Sequence, residues 1–140
     1  MSDLTGIPII SMWQPWAQWI AEGWKLIESR THNRFKSLEG KRIGIHASAK
    51  WDADWSTASA DFLPYERRMQ TFNFARLKPS VICTALVSSY GPLTPAEGKW
   101  ALIECETPRF GLWLRDLEQI KPAILCRGRQ GIFYLRDGAR

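Results

Sequence analysis

Cysteine and histidine are scarce in this 140-residue chain, three and two residues respectively. Cys83, Cys105 and Cys126 lie far apart, and no Cys-x-x-Cys pair occurs. That argues against a zinc site, and no metal or cofactor is expected. The odd count points to reduced, buried thiols. Only Cys126 has a cation beside it, Arg127, of the kind that activates a thiol, and a packing role is the expectation there too. The glycines have neither Walker-loop nor dinucleotide-fingerprint spacing. No apolar run approaches the roughly 18 residues of a membrane span. The start, MSDLTGIPII, lacks the basic residues and apolar core of a signal peptide, so no membrane association is expected and cytoplasm is the default. Repeats, low-complexity tracts and linkers are missing, which leaves a single domain over residues 1–140.

What is present is a globular composition, 45% hydrophobic and 24% charged. The 19 Lys and Arg against 14 Asp and Glu give a formal charge of +5. That balance favours a polyanionic partner without by itself identifying one.

Tryptophan is abundant, eight residues, of which Trp13, Trp16, Trp19 and Trp24 fall in one stretch, IISMWQPWAQWIAEGWKLIESR. Ile9, Ile10 and Met12 predict a short buried strand. Gln14-Pro15 then predicts a turn into a helix, since proline fits the first helical turn. Trp16, Trp19 and Ile20 share one helical face, and Gly23 can close the helix in the left-handed region. Leu26 and Ile27 begin a second strand carrying Lys25, Glu28 and Arg30. On an ideal strand Lys25 and Glu28 face opposite ways, so a shared cleft requires a bulge or Lys25 as the strand's first residue.

Further along, Glu39-Gly40 marks a turn, and Arg42 to Ala47 alternates as a half-buried strand ending at His46, Ala47, Ser48, Ala49 and Lys50. Residues 51–79 predict a helical insert. In it Asp52 or Asp54 caps one helix, and Pro64 starts another with Tyr65, Met69 and Phe72 on one face. Ser80 to Ser89 is the clearest strand, ended by Gly91-Pro92. Thr94-Pro95-Ala96-Glu97 predicts a cap with proline just inside it, hence a short helical turn or a loop. Trp100 to Glu106, Gly111 to Ile120 and Ile132 to Arg136 predict strands, the second broken by Lys121-Pro122 and open to a helical turn near Leu114 to Leu117. Asp137 to Arg140 reads as a frayed tail.

Ser11, Gln14-Pro15-Trp16-Ala17, Gly23, Lys25, Glu28 and Arg30 together resemble the signature of the ASCH domain, a family within the PUA-like superfamily. Lys121-Pro122 and Arg127-Gly128-Arg129-Gln130-Gly131-Ile132-Phe133 resemble its closing segment. The two matches bracket nearly the whole chain but leave Trp51 to Pro79 unmatched. The resemblance implies an α+β fold: a small PUA-like β-barrel of about five to seven mostly antiparallel strands with two to four peripheral helices. It also implies a cleft where the Gln14-Pro15-Trp16 turn, the Lys25 to Arg30 segment, the end of the His46 strand and the Arg127 to Gly131 loop converge.

For such a cleft the residues offer Trp13, Gln14, Trp16, Lys25, Arg30, Ser48, Lys50, Arg127, Arg129 and Gln130 to bind RNA, single-stranded nucleic acid or a modified nucleoside. Arginine suits phosphate, glutamate accepts from base amino groups, and tryptophan stacks on unpaired bases. Trp51 is a second stacking candidate. Two other readings stand beside this one. The chain is a hydrolase of RNA or nucleosides using Lys25, Glu28, His46 and Lys50, or a protein-interaction domain of coactivator type. One branch of the superfamily hydrolyses N4-acetylcytidine with a Lys followed three residues later by a Thr nucleophile. Here Lys25 is followed by Glu28, which cannot take the Thr role in acyl transfer. Ribonuclease chemistry is therefore the stronger enzymatic reading, with His46 and Lys50 as base and cation.

Overall fold

The computed structural model describes residues 4–103 and 108–135. Its strands are β1 (Ile9–Gln14), β2 (Ile27–Arg30), β3 (Arg42–Trp51), β4 (Ser80–Leu93) and β5 (Arg109–Leu125). Its helices are α1 (Trp16–Ala21), α2 (Trp55–Ala58), α3 (Tyr65–Phe72) and α4 (Gly98–Ala101). The five strands form one sheet in the order β1-β3-β4-β5-β2. The β1–β3 pairing is parallel and the other three are antiparallel. The α+β class and the mostly antiparallel sheet follow the expectation.

The closed barrel does not. β1 and β2 are the two edges of the sheet, and no ladder joins them among the described residues. Strand β2 is only four residues long and spends its pairing on β5. A side chain bridges the gap instead: Arg30 Nη2 donates to the Ser11 carbonyl at 3.0 Å.

The apolar run of β1 and the alternation predicted for β3 bury Ile10, Met12, Ile43, Ile45 and Ala47 in the main core with Ile20 of α1. Trp19 is fully buried in a neighbouring cluster with Trp55 and Leu63 of the insert. Its indole N–H donates to Thr71 Oγ1 at 2.9 Å, and that hydroxyl donates to the Arg67 carbonyl at 2.7 Å. This chain of bonds turns α3 away from its predicted orientation. Thr71 points inward, while Tyr65 and Phe72, expected on the buried face, are 73% and 62% exposed. Asp54 precedes α2 without a side-chain cap, and Asp52 Oδ1 instead accepts from the Asp54 N–H.

Gly23 and Gly40 take φ of +80° and +81°, as a helix end and a turn tip require. The capping box at Thr94 to Glu97 forms as read. Several strand limits move. β4 continues past Gly91-Pro92 to Leu93 because β5 supplies partners down to Arg109. β5 likewise runs through Lys121-Pro122, where a register shift between Cys83↔Gln119 and Val81↔Ile124 accommodates a residue without an N–H. Trp100 and Ala101 are helical rather than extended. Leu102 follows in the left-handed region and the Ile103 N–H returns to the Gly98 carbonyl at 3.1 Å. Residues 104–106 of that predicted strand, including Cys105, lie outside the described residues, as do Arg136 and the predicted tail. Of the last predicted strand only a bridge remains, Phe133 exchanging both backbone bonds with Ile9 at 2.8 and 2.9 Å.

Candidate functional site

Two adjoining clefts open beside the β1 edge. The first, about 600 Å³, is walled by Trp13, Trp16 and Phe62 and floored by Lys25, Glu28, Arg30 and Arg109. The second, about 680 Å³, lies between Arg30, His32 and Arg34 on one side and His46, Ser48, Arg129 and Gln130 on the other. Ser11, Trp13 and Arg30 line both and form the ridge between them. The single hollow expected from the sequence is thus divided.

In the first cleft Lys25 sits just before β2, so the strand's alternation does not separate it from Glu28. Lys25 Nζ lies 3.7 Å from Glu28 Oε1, and Arg30 Nε lies 3.2 Å from Glu28 Oε2. Lys25 also donates to the Ala101 carbonyl and lies 5.3 Å from the Trp16 ring centre. Only 2% of Lys25 is exposed. Burial drives its pKa down to about 8; Glu28 opposes that shift and Arg109 adds to it. The described lining holds three cations, Lys25, Arg30 and Arg109, against three carboxylates, Glu28, Asp52 and Asp61. This cleft is therefore near neutral overall, with hydrogen-bonding groups of both signs. Asp52 is fixed by the Trp16 indole N–H, which donates to Oδ2 at 3.2 Å.

The second cleft differs in sign. Arg30, Arg34 and Arg129 line it, and no carboxylate does so among the described residues. Arg30 is held in place by Glu28, by the Ser11 carbonyl and by the Phe35 ring, 5.1 Å from its guanidinium carbon. Arg34 and Arg129 are exposed.

His46 is buried at the wall of this cleft, opposite Ser11 in the parallel β1–β3 register. Its Nε2 lies 2.8 Å from the Cys126 carbonyl and its Nδ1 lies 2.8 Å from Ser11 Oγ. A carbonyl can only accept, so Nε2 carries the proton. In the neutral ring Nδ1 is then the acceptor, and the Ser11 hydroxyl donates to it. Burial pulls the imidazole pKa below its usual value, with the Cys126 bond opposing, so the ring is neutral at pH 7. Gly128 closes over this pair: a Cβ there would stand 2.7 Å from His46 Cε1 and 2.9 Å from Ser11 Oγ.

The remaining candidates fall elsewhere. Gln14 is buried, and its Oε1 accepts the Gln18 N–H at 2.9 Å, so it holds the start of α1. Lys50 lines neither cleft and lies 4.0 Å from the centre of the Trp13 ring, which is itself 46% exposed. Arg127 is exposed and lines neither cleft. Trp51 carries Arg76 over its ring at 3.8 Å. Burial pushes the Cys126 thiol up, the opposite of nucleophilic activation. Among the described residues no group of three or more His, Cys, Asp or Glu is placed to hold a metal ion, and no helix is long and apolar enough to cross a membrane.

Sequence reasoning did not single out Ser11, Arg34, Asp61 or Arg109 as site residues. Ser11 had a signal, a lone hydroxyl inside the apolar run Ile9 to Met12. Arg34 and Arg109 had none, since only the fold brings them to Arg30.

No protein-family model matches the chain, and no curated protein matches it. Solved structures do. The crystal structure of ASCH from Zymomonas mobilis superposes with a TM-score of 0.59 at 18% identity, covering 94% of this chain and 89% of that one. Two single-residue mutants of the same protein superpose with TM-scores of 0.58 and 0.56, both at 18% identity. They cover 96% and 92% of this chain and 92% and 89% of their own. The chain has the ASCH-domain fold.

Proposed function

We propose that this ASCH-fold chain, of PUA-like architecture, binds single-stranded RNA, with an unpaired or modified base in the first cleft and the backbone phosphates along the second. The carrying observation is the pairing of two unlike hollows across one ridge. An aromatic-walled cleft with Glu28 and Lys25 as acceptor and donor adjoins a cleft lined, among the described residues, by three arginines and no carboxylate. A base needs stacking surface and hydrogen-bonding edges, and its phosphates need cations. Trp13, exposed and backed by Lys50, supplies a stacking face at the ridge.

The test is a fluorescence titration with short single-stranded RNAs over a range of salt. Affinity should fall linearly on a log–log plot, and Arg34→Ala and Arg129→Ala should each flatten the slope by about 0.7. Salt-independent binding, or slopes unmoved by both variants, would refute this assignment. The lowered pKa of Lys25 favours a second reading: hydrolysis of an RNA or nucleoside substrate, with Lys25 and Glu28 as the proton-handling pair. Turnover of RNA or acylated nucleosides that is lost in Lys25→Met would support it; its absence on both substrate classes would remove it.

A further inference from the structure

The hydrogen-bond chain Ser11–His46–Cys126 carbonyl has the connectivity of a nucleophile, its base and the group that orients the base. We propose that Ser11 is a nucleophile activated by His46, and that this pair performs acyl transfer on small esters bearing an anionic group. The proposal is independent of the RNA reading: either can fail while the other stands.

Three features of the geometry support it. First, the proton positions are fixed. The Cys126 carbonyl accepts the hydrogen bond from Nε2–H, leaving the Nδ1 lone pair 2.8 Å from Ser11 Oγ. The usual requirement for an activated hydroxyl is an adjacent base within that reach, itself oriented by a third group. Second, the residue borders the clefts. Ser11 is half-buried and lines both clefts, although His46 behind it is only 1% exposed. A purely structural serine has no need to face a cleft. Third, Arg30 is anchored on the Ser11 carbonyl at 3.0 Å, which sets a positive charge beside the position where an oxyanion would develop. Gly128 packs its backbone against the pair, where a Cβ would stand 2.9 Å from Ser11 Oγ, and so holds the hydroxyl and the imidazole together. Arg34 and Arg129 across the second cleft select for an anionic group on the substrate.

The step balances as follows. Ser11 Oγ forms a bond to the ester carbonyl carbon as its proton passes to His46 Nδ1, and the carbonyl π pair moves onto oxygen. Collapse breaks the bond to the alkoxide, which leaves with the proton from Nδ1. Water then attacks the acyl-Ser11 ester, again giving its proton to Nδ1. The carboxylic acid is released and the serine is restored.

The test uses the full chain and a fluorophosphonate probe, whose fluoride is displaced by an activated serine hydroxyl. Intact mass and peptide mapping should show one adduct, on Ser11. The labelling rate should climb as the imidazole loses its proton and level off above it. Ser11→Ala should take up no label, and His46→Asn should label about 100-fold more slowly, at the lower end of general-base contributions. In a parallel arm, p-nitrophenyl esters carrying a carboxylate or phosphate should be hydrolysed faster than p-nitrophenyl acetate, and Arg129→Ala should erase the difference. Labelling of Ser11 no faster than of other serines would overturn the proposal, as would a rate that does not rise with pH anywhere in the range over which the chain stays folded. If His46→Asn does not fold, the wild-type pH profile alone decides. A flat profile points to a structural serine–histidine bond.

Discussion

Replacing Lys25 by methionine removes the one lysine or arginine that is buried among the described residues while nearly conserving side-chain length. Its effect should depend on pH in a way that few surface substitutions do. The Lys25 ammonium has an ordinary pKa of 10.5, lowered to about 8 in the fold chiefly by burial. Between those values the unfolded chain holds the proton and the folded chain has released it. Raising the pH there favours the fold, because the unfolded state binds more protons. Wild-type stability should therefore gain about 1 kcal/mol from this one group between pH 7 and 9, and roughly 2–3 kcal/mol by pH 10. Other groups titrate in the same range. The Cys83 thiol, pushed up to about 12 by burial, acts in the opposite sense above pH 9. The informative quantity is consequently the difference between wild type and Lys25→Met, in which these shared contributions cancel. Urea unfolding followed by tryptophan fluorescence at half-unit pH intervals measures it. The difference should move in favour of wild type by roughly 2–3 kcal/mol from pH 7 to 10. Two curves that stay parallel over that range would contradict the burial of Lys25 at the cleft floor, since burial is the cause of the lowered pKa.

Two further substitutions probe the frame around the site. Thr71→Val leaves the Trp19 indole N–H buried without its acceptor and should cost about 1–3 kcal/mol in denaturant unfolding; an unchanged midpoint would place the insert's attachment elsewhere. Gly128→Ala drives a methyl against His46 and Ser11 Oγ at 2.7 and 2.9 Å, and should cost about 1–3 kcal/mol and shift the His46 ring resonances in NMR. A neutral Gly128→Ala with unmoved His46 signals would contradict the close packing of that loop.

The parts of the fold that could be read from sequence are those set by local pattern. The alternation of β3, the proline at the entry to α1, Gly23 and the Thr94 to Glu97 box each carry their own cause within a few residues. Strand lengths were harder, because β4 and β5 continue through Pro92 and Pro122 wherever the partner strand continues. Helix α3 was misoriented because a pattern reading assigns the buried face to apolar residues. Here the bond from Trp19, 52 positions away in sequence, selects Thr71 instead. The closed barrel was inferred from the family resemblance and fails at the β1–β2 gap, where Arg30 replaces a ladder.

The candidate site follows the same division. Lys25, Glu28 and Arg30 are close in sequence, and their proximity was legible, although Lys25 reaches Glu28 from before the strand rather than from its first residue or across a bulge. The split into a balanced and a cationic cleft was not, because Arg34, Asp61 and Arg109 reach it only through tertiary packing. Gln14 shows the reverse: a residue that looked like a ligand group is consumed by the helix start.

The two-cleft arrangement is tested most directly by following the indole N–H signals of Trp13 and Trp16 in a nitrogen–proton correlation spectrum while short single-stranded RNA is added. Binding with the base in the first cleft should move both signals together, and Trp13→Ala should weaken the interaction. Phosphate-rich ligands without bases should perturb the Arg129 and Gln130 amides and leave Trp16 untouched. If RNA shifts only signals remote from β1, or moves the arginine loop without either tryptophan, the base does not enter the aromatic cleft and the account is contradicted.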